Sequence, residues 1–207
     1  MILSEWINSG YLKEKKIFKN KKIFLHQKPF SHLEFKIFFN EGKARLISEA
    51  LKKERFFQKE SDLFKFRQTS DLKSSHNKIL QEFRSFLSST EFILFLSTIT
   101  STSLKFGKID LSGSLYQDTD FLLCHDDMLE GRRIAFFWYL SDLEENDGGR
   151  LNLYSSKNNF PLKVEKQIIP QFNTFAFFLV SEKSFHAVEE MLSRKKRYTL
   201  SGWFYDK

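Results

Sequence analysis

Residues 109–139 of this 207-residue chain read IDLSGSLYQDTDFLLCHDDMLEGRRIAFFWY. The segment contains three short runs rich in β-branched and aromatic residues, and polar turn residues separate them. It therefore predicts three strands, Ile109–Gln117, Asp120–His125 and Arg133–Tyr139. The middle run ends on His125-Asp126-Asp127, so side chains that can bind a metal lie at the end of a predicted strand.

The β-rich pattern continues to the end of the chain. It predicts five further strands, Arg150–Tyr154, Val164–Ile169, Thr174–Val180, Phe185–Glu189 and Arg197–Phe204. Asn146-Asp147-Gly148-Gly149 predicts a hairpin turn, because these residue types tolerate positive φ. Eight short strands in roughly a hundred residues are typical of a sandwich or jelly roll.

The N-terminal half is predicted to be mainly helical. The predicted elements are strands at His32–Phe38 and Leu63–Gln68, a helix capped by Asn40 that ends near Lys53, and helices over 77–88 and 90–98, the second capped by Thr90. Leu46 is placed on the buried stripe of the first helix. We therefore predict an α+β fold in one domain, with a basic lead-in over residues 1–28 and a domain over 29–207. Within that domain, residues 29–108 form a helical support and residues 109–207 form the β-core.

The charge of the chain is uneven. The net charge is +7, and the excess of Lys and Arg lies in residues 1–73, with the densest run at Lys13–Lys22. A basic flank of this kind is either a solvated lysine-rich surface or a contact for RNA or a ribosome. Cys124 is the only cysteine, which suits a reducing compartment, and residues 1–10 lack the apolar run of a secretory signal. We therefore expect a cytoplasmic or nuclear protein with no membrane association, since no apolar run could span a bilayer.

Three polar side chains on predicted strands suggest a metal site. Residues i and i+2 of a strand face the same way, so His125 and Asp127 are predicted to point inward together and Asp126 to point away. His186 is the only later histidine in the β-rich region. Two imidazoles and one carboxylate on one face of a metal are the ligand set of non-haem Fe(II) oxygenases.

Arg197 begins the last predicted strand. One face of that strand carries Arg197, Thr199, Ser201 and Trp203. An inward guanidinium with a hydroxyl two residues later could hold a carboxylate of a co-substrate. Each element alone has a simpler interpretation, as a surface pair, a core histidine or the end of a basic run. The order H-x-D, His, Arg on successive strands favours the site.

These segments resemble a known family. Residues 122–136, Asp147–Tyr154 and Arg197–Phe204, together with Ser61–Thr69, resemble the eukaryotic ribosomal prolyl hydroxylases. That family belongs to the prolyl-4-hydroxylase-like branch of the Fe(II)/2-oxoglutarate oxygenases. The resemblance runs from about Pro29 to Phe204 and covers only the catalytic domain of the family, whose members carry a second, non-catalytic β-domain after it.

The resemblance implies a double-stranded β-helix and a set of site residues. His125, Asp127 and His186 would bind Fe(II), Arg197 would pair with the C5 carboxylate of 2-oxoglutarate, and Tyr116 and Tyr139 would help to bind that co-substrate. O2 is the second co-substrate, and ascorbate is a reductant that such enzymes can use. The implied substrate is a prolyl residue of a small-subunit ribosomal protein.

Two other functions fit the sequence less well. A 2-oxoglutarate oxygenase of another protein residue or of an alkylated nucleobase would keep the same ligands. Nucleobase repair enzymes typically have an Arg closer after the distal His, where this chain has Leu192, with Arg194 the first Arg downstream. A non-catalytic jelly-roll binding module would usually have lost a ligand or the anchoring Arg, whereas all four groups are present here.

Overall fold

The computed structural model describes residues 2–206; Met1 and Lys207, the outer limits of the predicted lead-in and domain, lie outside it. The described chain contains four α-helices: α1 Glu14–His26, α2 Glu41–Lys52, α3 Lys78–Leu87 and α4 Thr90–Thr100. Its eleven strands are β1 His32–Phe35, β2 Phe57–Ser61, β3 Phe64–Gln68, β4 Leu104–Tyr116, β5 Phe121–His125, β6 Arg132–Tyr139, β7 Leu151–Lys157, β8 Phe160–Ile168, β9 Thr174–Leu179, β10 His186–Val188 and β11 Arg197–Asp206. No described helix is both long and apolar enough to cross a membrane.

The strands pair in the order β1-β9-β6-β11-β4-β3-β5-β10-β7-β8, and β2 pairs with β3. Strand β3 joins the two halves of this sheet, because it pairs with β4 through Arg67–Leu115 and Gln68–Ser114 and with β5 through Phe64–Leu122. All the pairings are antiparallel. The predicted α+β fold with a double-stranded β-helix is therefore confirmed.

The main core lies between the helices and one face of β4, β6, β9 and β11. On β11, Leu200 and Phe204 are buried in this core, and Phe204 packs against Phe92 of α4 and Phe136 of β6. The alternate residues of β11 face the other way, into the barrel. The helices thus support the sheet on one side, and the opposite face of these strands lines the inside of the barrel.

The basic lead-in is part of the same folded unit. Trp6, Ile7 and Phe24 are buried members of the main core, and Trp6 stacks on Phe86 of α3. The outward face of α1 carries its lysines. The lysines of this segment therefore lie on the outward face of a helix whose other face is packed in the core.

Several local predictions are confirmed and others are wrong. Asn40 caps α2, since its side chain accepts a hydrogen bond from the Lys43 amide. Leu46 is 60 % exposed, so its place on the buried stripe was wrong. Ser89, one residue before Thr90, caps α4. Strand β2 was not predicted, because all five of its residues are exposed and it has no apolar alternation.

The predicted hairpin at residues 146–149 is also wrong. The segment is a 3-10 turn at Glu145–Asp147 followed by Gly148 and Gly149, and only these two glycines have positive φ. The strands on either side, β6 and β7, do not pair with each other. The turn residues were recognised, but the strands they connect belong to different halves of the barrel, so the segment is a crossover loop.

Asn173 links the residues just before α2 to the main sheet. It is 2 % exposed, and its side-chain oxygen accepts hydrogen bonds from the Phe39 amide and the Trp138 indole, both at 3.1 Å. Its side-chain nitrogen donates to the Phe39 carbonyl at 2.8 Å. Its backbone has a φ of 60°, a conformation that asparagine adopts more readily than most residues.

We expect Asn173→Ala to lower the free energy of unfolding by about 3 kcal/mol, because it leaves three buried polar groups without partners. Urea denaturation measures the change. The matched control is Asn158→Ala, since Asn158 also has a left-handed backbone (φ 53°) but is exposed. Equal losses in the two variants would show that backbone conformation, and not the hydrogen bonds, accounts for the effect.

Candidate metal centre and co-substrate pocket

The end of β5 and the start of β10 bring two histidines face to face. His125 and His186 are directly opposed in the β5–β10 register, and their ring centroids lie 4.1 Å apart. The next pair in the ladder is Leu122–Val188. Between the two pairs β5 advances by three residues and β10 by only two, so β5 contains a bulge. This bulge in β5 turns both Leu122 and His125 towards the cavity inside the barrel.

Asp127 completes the group, but it does so from a turn and not from the predicted strand. Strand β5 ends at His125, and Asp127 lies in the following turn with a φ of 63°. Its carboxylate oxygens lie 3.4 Å from His125 Nε2 and 3.5 Å from His186 Nε2. The strand-parity reason given for choosing Asp127 was therefore wrong, although the residue does join the two histidines. Asp126 is outside this group, and its Oδ1 accepts a hydrogen bond from the Met128 amide.

The protein backbone sets which nitrogen of each imidazole faces the site. His125 Nδ1 lies 2.9 Å from the Leu123 carbonyl, and His186 Nδ1 lies 2.8 Å from the Ser184 carbonyl. A carbonyl only accepts, so each Nδ1 carries a proton and each neutral ring has its lone pair on Nε2. The potential ligand atoms of His125, Asp127 and His186 all lie within 4.8 Å of one another.

The charge states of the three groups also suit a cation. Burial lowers the pKa of His186 to about 4, so this imidazole is neutral at pH 7. Burial alone would raise the pKa of Asp127, but the hydrogen bond from His125 and the charges of both histidines outweigh it and lower that pKa to about 2. Burial opposes protonation of His125, yet Asp127 beside it raises its pKa overall.

Two further residues hold Asp127 in place, and neither had a predicted role. The Trp203 indole Nε1 donates a hydrogen bond to Asp127 Oδ2 at 3.0 Å. The Arg132 guanidinium lies over the Trp203 ring at 3.4 Å and 3.8 Å from Asp127 Oδ1. Trp203 was recognised on the inward face of the last strand, but its reach to Asp127 depends on how β11 lies against the turn after β5.

Arg197 is a buried cation with no counter-charge among residues 2–206. It is 1 % exposed, and it forms no ion pair with a carboxylate of the described residues. Its Nε donates to the Gly149 carbonyl at 2.8 Å and its Nη1 to Thr199 Oγ1 at 3.0 Å, while Nη2 has no partner within the described chain. A buried charge is costly unless it is paired, so this site lacks an anion.

Two tyrosines flank the guanidinium. Tyr116 and Tyr139 have their rings 4.9 Å and 5.1 Å from the Arg197 guanidinium carbon. Burial raises the pKa of both tyrosines, so their hydroxyls remain protonated donors. The Tyr139 hydroxyl is buried and, among the described groups, has no hydrogen-bond partner. Thr199, predicted to bind the co-substrate, accepts a hydrogen bond from Arg197 at its hydroxyl.

A cavity of about 120 Å³ connects the two halves of the site. Its walls include the three candidate ligands, Arg197 and Tyr116, and its other walls are mainly apolar; Tyr139 and Thr199 do not line it. The residues present fit a ferrous ion with 2-oxoglutarate. Two neutral imidazoles and a carboxylate are the donors that such an ion takes, and the unpaired Nη2 of Arg197 fits a carboxylate.

Comparison with known proteins agrees with this geometry. The model of the 2OG-Fe(II) oxygenase superfamily matches residues 111–205. The chain is 43 % identical to prolyl 3-hydroxylase OGFOD1 of Mus musculus over 153 residues, covering 72 % of this chain and 28 % of the relative. It is 41 % identical to the Xenopus laevis protein of the same name over 162 residues, covering 77 % and 31 %. The chain thus spans under a third of the length of these curated relatives.

Solved structures show the same fold. A Pseudomonas putida prolyl-4-hydroxylase superposes with a TM-score of 0.73 at 15 % identity, over 91 % of this chain and 99 % of that one. A prolyl hydroxylase from Trichoplax adhaerens, in complex with a peptide of hypoxia inducible factor, superposes with a TM-score of 0.69 at 16 % identity, over 94 % of each chain. Residues 111–205 of the chain therefore match the 2OG-Fe(II) oxygenase superfamily, and the chain shares the fold of these solved structures.

Proposed function

We propose that this protein is an Fe(II)- and 2-oxoglutarate-dependent prolyl hydroxylase that acts on a protein, and that its substrate is a small-subunit ribosomal protein. The observation that carries the oxygenase chemistry is the two-part site: three ligand groups within 4.8 Å of one another, and a buried guanidinium with an unpaired Nη2 in the same cavity. The curated relatives named prolyl 3-hydroxylases support the choice of proline and of its 3-position.

The residues of this chain divide the work between metal and co-substrate. When bound, ferrous ion and 2-oxoglutarate supply oxidative hydroxylation of a C–H bond with O2, with succinate and CO2 as co-products. His125, Asp127 and His186 would hold the metal. The Arg197 guanidinium would pair with the distal carboxylate of 2-oxoglutarate. The Tyr139 hydroxyl lies beside that guanidinium and has no hydrogen-bond partner among the described residues, so it is a further available donor. The apolar wall that includes Phe66 and Phe137 limits water at the reacting centre.

We expect Asp127→Ala to abolish tight binding of Mn(II), used as a redox-stable substitute for Fe(II), and to abolish 2-oxoglutarate turnover. The reason is that it removes the only carboxylate of the group. Calorimetric titration with Mn(II) measures the first effect and succinate release the second.

Asp126→Ala is the matched control, since Asp126 is the neighbouring carboxylate and its side chain lies outside the group. It should retain Mn(II) affinity within about threefold, as expected of a residue that is not a ligand. Equal loss in both variants would remove the basis for this metal site.

The product assay tests the whole proposal. The protein would be incubated with Fe(II), 2-oxoglutarate, ascorbate and peptides from small-subunit ribosomal proteins. We expect a peptide to gain one oxygen atom on a proline and amino-acid analysis to identify 3-hydroxyproline. Succinate release with a modified residue other than proline would leave the oxygenase and reject the prolyl substrate. No 2-oxoglutarate turnover with a correctly folded, metal-loaded protein would reject the function itself.

We also propose that the exposed lysines of α1 contact RNA of the ribosome, and that the protein works in the cytoplasm or the nucleus. Lys15, Lys19 and Lys22 are exposed, and no lysine of α1 forms an ion pair within residues 2–206. Phosphate contacts are the chemistry that such an unneutralised face suits. Cell fractionation tests the location: recovery in a secretory compartment would contradict it.

For the RNA contact, we expect Lys19→Gln/Lys22→Gln to weaken binding to a ribosomal RNA fragment and to lower the salt slope of the affinity by about two. Filter binding at several salt concentrations measures it. Lys53→Gln/Lys59→Gln removes the same charge from an exposed region outside α1 and is the control. If both pairs change the affinity equally, net charge and not α1 determines the binding.

A further inference from the structure

The direction of the Arg197 guanidinium is set by a loop that does not touch the co-substrate pocket. A guanidinium is planar, so two hydrogen bonds fix where its remaining edge points. Here those bonds go to the Gly149 carbonyl and to Thr199 Oγ1, at 2.8 Å and 3.0 Å. Thr199 is held within the β11 ladder, so the position of Gly149 is the adjustable part of this arrangement.

The backbone conformation and the close packing at position 149 require glycine. Its φ is 67°, and a Cβ atom there would collide with Met191 Sδ and come within 3.1 Å of Arg197 Cδ. Its amide donates to the Glu190 carbonyl at 3.1 Å. The loop that ends at Gly149 is therefore packed directly against the segment that leads into Arg197.

Lys195 fastens that loop to that segment by two ion pairs, a short one with Asp147 and a longer one, 3.7 Å, with Glu144. Asp147 is 7 % exposed, and its Oδ2 accepts hydrogen bonds from Lys195 Nζ at 2.8 Å and from the Glu144 amide at 2.7 Å. The Asp147 carbonyl accepts from the Leu192 amide at 2.9 Å. Lys195 lies two residues before Arg197, so the pair joins the loop that supplies the carbonyl to the start of the strand that carries the guanidinium.

We infer that Asp147 and Lys195 are positioning residues for Arg197 and set the affinity of the pocket for the distal carboxylate of a 2-oxodicarboxylate. The inference rests on the proposed function, because it assigns 2-oxoglutarate to this pocket. Burial opposes ionisation of Asp147, but Lys195 and the Glu144 amide lower its pKa overall, which keeps the carboxylate available to the pair. The pair lies outside the metal group, so it acts on one co-substrate contact and not on the metal.

Lys195→Met tests this, because it removes the ammonium and keeps an unbranched stem of the same length. We expect the KM and the dissociation constant for 2-oxoglutarate to rise about fivefold, the upper range for a partly exposed ion pair. The kcat at saturating 2-oxoglutarate and the affinity for Mn(II) should not change. Lys195→Arg should recover most of the loss. Lys196→Met, which removes the neighbouring exposed charge, is the matched control and should behave as the wild type.

A shorter 2-oxoacid separates positioning from general damage. 2-Oxobutyrate lacks the distal carboxylate, so its binding to the Mn(II)-loaded protein should be the same in the wild type and in Lys195→Met. Gly149→Ala should weaken 2-oxoglutarate binding further, because it displaces Arg197 from the other side. Circular dichroism and the thermal midpoint confirm that each variant is folded.

Unchanged 2-oxoglutarate affinity in Lys195→Met, or equal weakening for 2-oxoglutarate and 2-oxobutyrate, would overturn the positioning role while leaving the proposed function intact. A wild-type protein that binds Mn(II) but not 2-oxoglutarate would instead reject the proposed function, and the positioning role with it. The two failures are thus distinguished by the wild-type titration.

Discussion

A buried guanidinium with no counter-charge in the described part of the chain is the constraint around which the barrel interior is organised. Burying an unpaired cation costs several kcal/mol, and the chain offsets only part of that cost. It does so with one carbonyl, one hydroxyl and the faces of two tyrosines. All of these can be supplied without a negative charge, so Arg197 keeps its full attraction for an incoming carboxylate. The favourable free energy of pairing this cation with a carboxylate is therefore gained when a ligand binds and not when the chain folds.

That arrangement needs a rigid support, and β11 provides it. Leu200 and Phe204 anchor one face of the strand in the aromatic core beneath the helices. Arg197 and Trp203 lie on the opposite face. Arg197 lines the co-substrate end of the cavity, and Trp203 donates a hydrogen bond to Asp127. Because the same strand is fixed from behind by large side chains, the two ends of the site keep a constant separation. Side chains on a packed strand are placed more accurately than side chains on loops.

The sequence predicted the architecture and the grouping of His125, Asp127 and His186, but not how the group forms. Alternation along a strand assumes a regular ladder, and here a bulge in β5 and a left-handed turn after it aim the side chains. Such departures depend on pairing with β10, which no local pattern contains. The contact of Trp203 with Asp127 is likewise tertiary, since it spans 76 positions. The hairpin error at residues 146–149 has the same origin: turn chemistry was visible, but the partners of the flanking strands were not.

The state of the three ligand groups explains how the site can be ready before a metal arrives. Asp127 is nearly buried yet ionised, because His125 and the Trp203 indole stabilise its charge. His186 is already neutral at pH 7, and the backbone carbonyls at Nδ1 keep both imidazoles turned with Nε2 towards the carboxylate. A cation bound by the three groups would displace at most one proton, the proton of His125, whose binding Asp127 favours. Since the ligands are held by the fold, little of the metal-binding free energy has to be spent on ordering them.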